Sequence, residues 1–215
     1  MRLHPSNRPV VYVVDDDGGF RRGVCRLLQA AGYEPRPHAS AGDFLLAEPV
    51  EGPACVLLDV RMPGPSGLDL QEALARRGQS PPIVFLSAHG DIPMSVRALK
   101  AGAVDFLTKP VDRHTLLAAV DAALALDTER RAERQELHSL RERYERLTPR
   151  EREVFGLVVA GKLNKQIAGD IGAAERTVKA HRAQVMEKME VGSLADLVRV
   201  ASRLGLPGPS PGDER

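Results

Sequence analysis

The sequence predicts a doubly wound α/β domain followed by a smaller, wholly helical one. Three observations carry this prediction. Five short apolar runs alternate with helical segments over roughly the first 120 residues. Charged side chains, Asp15-Asp16, Asp59 and Lys109, stand at the ends of three of those runs. Beyond residue 147 the runs give way to closely spaced helix start and stop signals.

Short apolar runs bounded by turn signals read as buried strands, which places strands at 10–14, 34–38, 54–58, 83–86 and 104–107. Helices are expected at 19–31, with Val24, Leu27 and Leu28 on one face, and at 41–47, 67–77 and 92–101. A fifth begins near Arg113. Gly32, Gly78 and Gly102 fall where helices should stop. Five βα units of this length make a parallel sheet covered on both faces.

In that sheet Asp15-Asp16 follows VVYVV, Asp59 follows CVLL and Lys109-Pro110 follows VDFLT. Each charged group therefore sits where the carboxyl end of a strand meets a loop, the edge along which open α/β sheets bind ligands. Three carboxylates there would repel one another and hold raised pKa values unless a cation shared the site. A hard divalent ion such as Mg²⁺ takes carboxylate oxygens and commonly bridges to phosphate, and a lysine supplies a mobile charge to a phosphoryl oxygen. The constellation suggests phosphoryl chemistry on a carboxylate.

Charge is nearly balanced, 30 basic against 29 acidic side chains in 215 residues, but unevenly distributed. Residues 1–126 carry 13 basic and 14 acidic groups, 127–147 six of each, and 148–215 carry 11 and nine. The basic surplus lies at the C-terminal end. Cys25 and Cys55 sit in apolar contexts without CxxC spacing, which argues against a disulfide or a zinc site and for a reducing cytoplasm. The apolar runs are too short to span a bilayer, and residues 1–9 lack the apolar core of a signal peptide, so no membrane partner is expected.

The stretches VVDDD, LLDVRMPGPSGLDL, IVFLSAHGD and AGAVDFLTKP together resemble the receiver domain of bacterial two-component response regulators. The resemblance implies a flavodoxin-like (βα)5 receiver over residues 10–124, after an N-terminal extension at 1–9. It implies that Asp59 is the phosphoacceptor and that Asp15, Asp16, Asp59 and the main-chain carbonyl of Arg61 hold Mg²⁺. Ser87 would bond one phosphoryl oxygen, Lys109 would pair with another, and Phe106 stands at the aromatic switch position. Lys109-Pro110 resembles a site where the family uses a cis peptide. Asp17 stands where members often carry a third acid, which either touches the metal or faces solvent near a helix start. Arg61 and His89 occupy positions near the phosphoryl site that vary among members.

An ionised Asp59 could attack a phosphohistidine phosphorus if Mg²⁺ and Lys109 neutralised the charge on the transferring group. The product, a mixed anhydride, is labile and suits a temporary signal. Its added charge and acceptor oxygens would draw in Ser87 and Lys109, and the helix from Ile92 would follow.

A helical linker is expected over residues 125–147. DTERRAERQELHSLRERYER contains no Gly or Pro and mixes both signs of charge, which argues for an exposed helix. Leu137, Leu140, Tyr144 and Leu147 lie at a/d spacing, and the same register continues backward through Glu133 and Arg130 to Leu126, Ala123, Ala119 and Leu116. Two readings stand: a single solvated helix, or a helix that continues from the receiver and pairs as a coiled coil in a dimer.

Thr148-Pro149 with Glu151 then marks a helix start, Gly161 a stop, Asn164 a new cap and Gly172 a turn before another helix. Two short helices joined by a tight turn are the geometry of a helix-turn-helix. Residues 148–204 resemble the LuxR-type DNA-binding domain of four helices, and the joint architecture is similar to the NarL/FixJ class, with the long linker of its FixJ-like branch.

The recognition helix is expected over 175–189, with Val178, Val185 and Met189 facing a core and Lys179, Arg182 and Ala183 on the other side. The family pattern implies Lys179, Ala180 and Ala183 near base edges and Thr177, His181, Arg182, Asn164 and Lys165 near phosphates. The alanines offer only shape and methyl contact, so Lys179 would carry most polar readout. Residues 162–188 hold six basic and three acidic groups, a modest footprint, so a monomer should bind weakly and two copies gain through effective concentration. Leu194, Leu197, Val198 and Ala201 resemble the family's dimerising last helix. Ala174, Gln166 and Glu190 depart from a common cap serine, glutamate and glycine. Residues 205–215, rich in Gly and Pro, are expected to be a disordered tail.

The sequence thus reads as a phosphorylation-activated transcriptional regulator and not an enzyme. The expected partners are a sensor histidine kinase, double-stranded promoter DNA, a second copy of the chain and RNA polymerase. A phosphorylation-independent DNA-binding protein that uses its receiver only to dimerise, or a phosphate sink for a kinase, are the alternatives.

Overall fold

The five apolar runs pair as parallel strands, and the segments between them coil into helices, in the computed structural model, which describes residues 8–78, 80–88 and 92–207. Residues 1–7 of the expected N-terminal extension, His89, and residues 208–215 of the expected tail lie outside the described residues. The chain divides into two compact units between Arg131 and Ala132.

In the first unit, β1 (Val10–Val14), β2 (Glu34–His38), β3 (Ala54–Asp59), β4 (Ile83–Ser87) and β5 (Asp105–Thr108) form one sheet in the order β2-β1-β3-β4-β5. The register sets Val14 beside Leu58, Asp59 beside Leu86 and Ser87 beside Thr108, which aligns the carboxyl ends. β3 and β4 run one residue further than their apolar runs, so Asp59 and Ser87 are themselves strand residues. The reason is that the ladder continues past them, with the Val60 amide donating to the Leu86 carbonyl and the Lys109 amide to that of Ser87. β2, with Pro35 and Pro37, takes the edge, where a missing amide is tolerated.

Helices α1 (Gly18–Ala30), α2 (Ala41–Leu45), α3 (Gly67–Arg76), α4 (Ile92–Lys100) and α5 (Arg113–Glu145) follow the strands in turn. Successive side chains of a strand point to opposite faces, so the sheet builds two cores. Val11, Val13, Leu57 and Leu86 pack with Leu28 of α1 and Leu116 and Val120 of α5. Tyr12, Leu58 and Phe85 pack on the other face with Phe44 of α2, Leu70 of α3 and Ala98 of α4. Both cysteines are free. Cys55 is fully buried in the first of these cores, and burial pushes its thiol up to about 12.

α5 runs 33 residues without a break, as a segment free of Gly and Pro allows. Asp127, the first residue of the charged stretch expected to be an exposed helix, is buried. Its carboxylate accepts the Ala54 amide at 2.9 Å and Arg131 Nε at 2.6 Å, and Arg131 also reaches the carbonyls of Val50 and Glu51. The receiver's hold on α5 therefore extends to Arg131.

The second unit contains the last turns of α5 and α6 (Pro149–Val159), α7 (Asn164–Asp170), α8 (Glu175–Lys188) and α9 (Leu194–Arg203). Thr148 and Glu151 form a reciprocal capping box at the start of α6, with the Glu151 carboxylate accepting the Thr148 amide at 2.8 Å. Gly161 and Gly172 adopt positive φ of 84° and 62° at the turns that end α6 and α7, a backbone region that favours glycine. α7 begins at the expected cap itself, one residue earlier than the sequence implies. Leu163 is the cap residue, and the Gln166 side chain accepts the Leu163 amide at 2.8 Å, so Asn164 lies inside the first turn.

Most of the candidate dimer residues are engaged within their own unit. Leu140 and Leu147 lie in the core of the second unit, and Tyr144 packs edge-on against Phe155 at 5.3 Å. Leu116, Ala119 and Ala123, further back in the same register, face the receiver sheet. Leu197 and Ala201 of α9 are likewise buried within their own unit and Val198 is half-buried, leaving Leu194 exposed. Leu137 is half-buried. The a/d spacing reflects two successive stripes, each facing the core of its own unit. Among the described residues, no helix is long and apolar enough to cross a membrane.

Candidate functional site

The carboxyl ends of β1, β3 and β5 bring Asp15, Asp59 and Lys109 together, although 94 residues separate the first from the last. Lys109 Nζ lies 2.6 Å from Asp15 Oδ2 and 3.1 Å from Asp59 Oδ2. Its position is supported from below by the Phe20 ring, whose centroid is 4.2 Å from Nζ, a favourable cation–π placement. Ser87, fully buried at the end of β4, completes the row of strand ends. The Lys109–Pro110 peptide is cis.

Burial pushes the Asp15 carboxyl up, against the hydrogen bond and charge of Lys109, which pull it back. Burial also works against the Lys109 ammonium, yet its hydrogen bonds to Asp15 and Asp59, and their charges, hold it above its ordinary value. A buried carboxylate disfavoured by its surroundings is a site that gains from a further cation. Asp15, Asp16 and Asp59 each offer a carboxylate oxygen, all within 4.8 Å of one another, with Asp16 exposed to solvent. This hard, all-oxygen, partly open donor set fits Mg²⁺. The Arg61 amide donates weakly to Asp59 Oδ1 at 3.3 Å, so residue 61 borders the same pocket.

Asp17 is exposed at the start of α1. Its carboxylate caps α1, accepting the amides of Gly19 at 2.7 Å and Phe20 at 3.2 Å, and these bonds lower its pKa. Two features of the pocket had escaped sequence reasoning: Phe20 beneath Lys109, and Arg21, whose guanidinium donates to the Asp15 carbonyl. Both follow the acids in the first turn of α1, but only the fold aims them back at the strand ends. Gly67 at the start of α3 reads from the sequence only as a helix residue. A β-carbon there would lie 2.3 Å from the Asp59 carbonyl oxygen and 3.1 Å from Phe85. Phe106 is half-buried, with its ring 6.1 Å from that of Phe85.

In the second unit, Val178, Val185 and Met189 are buried, so α8 turns its opposite side outward. Thr177, Lys179, Ala180 and Ala183 are exposed there, as is Lys165 on α7, while Asn164, His181 and Arg182 are half-buried. Arg182 Nη1 donates to Asn164 Oδ1 at 2.9 Å. Lys162 and Lys188 are engaged by Asp170 and Glu151, so Lys165, Arg176, Lys179 and Arg182 carry the outward positive charge. Ala174 caps α8 with no side-chain hydrogen bond, as its methyl group dictates.

Two family models match this chain. Residues 11–121 match the response regulator receiver domain, and residues 145–201 match the bacterial regulatory proteins of the luxR family. The chain is 46% identical to nodulation protein W of Bradyrhizobium diazoefficiens over 94% of its own length and 88% of that protein. It is 45% identical to the response regulator TodT of Pseudomonas putida, covering 94% and 89%. The transcriptional regulatory protein FixJ of Azorhizobium caulinodans is 40% identical, with 98% of each chain covered. Among solved structures, the response regulator StyR aligns with a TM-score of 0.81 at 47% identity, covering 91% of this chain and 99% of that one. Full-length FixJ from B. japonicum aligns at 0.54 and 39%, covering 91% and 97%.

Proposed function

Because this chain belongs to the NarL/FixJ-type response regulators, which join a receiver to a LuxR-type DNA-binding domain and regulate transcription, we propose that Asp59 is its switch. Asp59 accepts a phosphoryl group from a sensor histidine kinase, and the phosphorylated chain dimerises and binds promoter DNA. The observation that carries this reading is the ammonium of Lys109 held between Asp15 and Asp59, 2.6 and 3.1 Å away, beside buried Ser87.

In the transfer, an Asp59 oxygen forms a bond to phosphorus as the phosphorus–nitrogen bond of the kinase's phosphohistidine breaks, and the imidazole leaves with the electron pair. Lys109 turns from the carboxylates to a phosphoryl oxygen, and the Ser87 hydroxyl donates to another. Mg²⁺, held by Asp15, Asp16, Asp59 and the Arg61 main-chain carbonyl, would neutralise charge on the transferring group. The acyl phosphate then adds negative charge and new acceptors at the sheet edge.

Movement of Ser87 and Lys109 alters the adjacent α4 and β5, with Phe106 as the aromatic switch. On α4, Ile92, Val96 and Leu99 are exposed at i, i+4 and i+7, an apolar stripe that supports a dimer face on the receiver. Two copies then present Lys179, Ala180 and Ala183 to base edges, with Thr177, His181, Arg182, Asn164 and Lys165 at the backbone. Linkage of two weak DNA-binding units raises affinity through effective concentration. On this reading the protein works in the cytoplasm, meets RNA polymerase at the promoter, and hydrolyses only its own aspartyl phosphate.

Sedimentation of the wild type and Asp59→Asn with Mg²⁺, each with and without beryllofluoride, tests the switch, alongside a promoter-DNA titration. A dimer and tighter DNA binding are expected only for wild type with beryllofluoride. Identical behaviour in every sample would favour a phosphorylation-independent regulator.

A further inference from the structure

Asn164 and Arg182 lie 18 positions apart on α7 and α8, and the family resemblance implies that both stand near DNA phosphates. In the structure they are bonded to each other, Arg182 Nη1 to Asn164 Oδ1 at 2.9 Å. Arginine has donors and no acceptor, so the contact fixes which end of the Asn164 carboxamide faces it: the oxygen. That oxygen is free for the purpose because Asn164 is not the cap of α7. The cap residue is Leu163, whose own amide donates to Gln166 Oε1 at 2.8 Å.

A guanidinium is a planar fork of five donors, and one bond to a fixed acceptor sets the plane of the rest. The acceptor is neutral, so it orients Arg182 without cancelling the charge that a phosphate would meet. A carboxylate in its place would do both. Arg182 is half-buried: it stands four positions after buried Val178 and three before buried Val185, at the edge of the buried stripe, and one turn along α8 from exposed Lys179. It therefore stands at the rim of the exposed face that carries Lys179 and Ala183, with its orientation set from α7.

We propose that Asn164 is a positioning residue: it acts on DNA through Arg182, by holding the guanidinium in the orientation that engages a backbone phosphate, and makes no independent contribution of its own. The inference rests on the DNA-binding reading of α8. Side-chain freedom lost in advance is not lost on binding, which is how a fixed donor raises affinity.

The test is a double-mutant cycle with the full chain, activated with beryllofluoride and Mg²⁺, on a duplex selected from a random pool by the wild type. Asn164→Ala should weaken binding about tenfold when Arg182 is present and less than about twofold in the Arg182→Ala background. Arg182→Ala should lower the slope of log affinity against log salt by about one, the mark of a lost phosphate contact. If Asn164→Ala costs the same in both backgrounds, Asn164 touches DNA itself or serves only the fold, and the inference is overturned. Failure of the wild type to select any duplex would instead remove the DNA-binding reading on which it stands.

Discussion

The Asp127 carboxylate accepts the backbone amide of Ala54 at 2.9 Å, across 73 positions of chain, and so fastens α5 to the first residue of β3. Arg131, one turn later, binds the same carboxylate and the carbonyls of Val50 and Glu51. A buried carboxylate is thus satisfied from both sides, and the loop before β3 is tied to the same helix.

Asp127→Ala leaves a buried amide without its acceptor and Arg131 without its counterion. Loss of one partner from a buried charged hydrogen bond costs about 2–4 kcal/mol. The urea midpoint of the receiver should fall accordingly, while Glu129→Ala, on the exposed side of the same helix, should leave it within about 0.5 kcal/mol of wild type.

Gly67→Ala places a β-carbon 2.3 Å from the Asp59 carbonyl oxygen, a backbone atom that cannot swing aside. Relief requires α3 or the end of β3 to shift, at a cost of about 1–3 kcal/mol. The displacement falls on the phosphoacceptor itself. Incorporation of phosphate from a small acyl phosphate should drop at least about tenfold, measured by gel mobility of the phosphorylated chain.

The second unit should carry an acid-sensitive contact. Hydrogen bonding from Lys188, at 2.7 Å, and from the Thr148 amide lowers the pKa of Glu151 from its ordinary 4.5. A carboxyl with a folded value below its unfolded one contributes stability above the unfolded pKa and loses it as pH falls through the folded value. Thermal melts of the wild type should therefore weaken below about pH 4.5. Glu151→Gln should be less stable at pH 7 by about 1–3 kcal/mol and show a flatter acid limb. An acid limb as steep as that of the wild type would remove Glu151 as the cause.

Val96→Glu with Leu99→Glu puts two charges into the exposed stripe of α4, outside the acidic pocket. Phosphate incorporation at Asp59 should be unchanged, and the beryllofluoride-dependent dimer seen by sedimentation should weaken at least about tenfold, since like charges meeting across an interface oppose association. Full dimerisation of this variant would move the interface elsewhere.

The strands and their ends were legible because a fully covered parallel sheet writes itself as short apolar runs, and VVYVV, CVLL and VDFLT are such runs. The acidic pocket followed from them, since its charges terminate those runs in sequence. Asp127 was not legible, because a single buried acid in a charged helix leaves no periodic trace and its partner is 73 positions away. Leu140, Tyr144 and Leu147 gave a true stripe but not its target: heptad spacing on one helix marks an apolar side without naming the surface that covers it. Asn164 reads one position late as a cap because the cap residue is Leu163, whose apolar side chain carries no capping signal.

The free thiol of Cys55 gives the receiver a built-in chemical clock. It is fully enclosed between β3 and the helices of that face, and its pKa near 12 leaves almost no thiolate at neutral pH. An alkylating reagent can therefore reach and capture it only when the sheet opens. With Cys25→Ala removing the half-buried competitor, and reagent concentrated enough for capture to outrun reclosing, the rate of labelling counts the openings of β3, so the effect of an occupied acidic pocket on the lifetime of the closed sheet becomes readable at a native side chain.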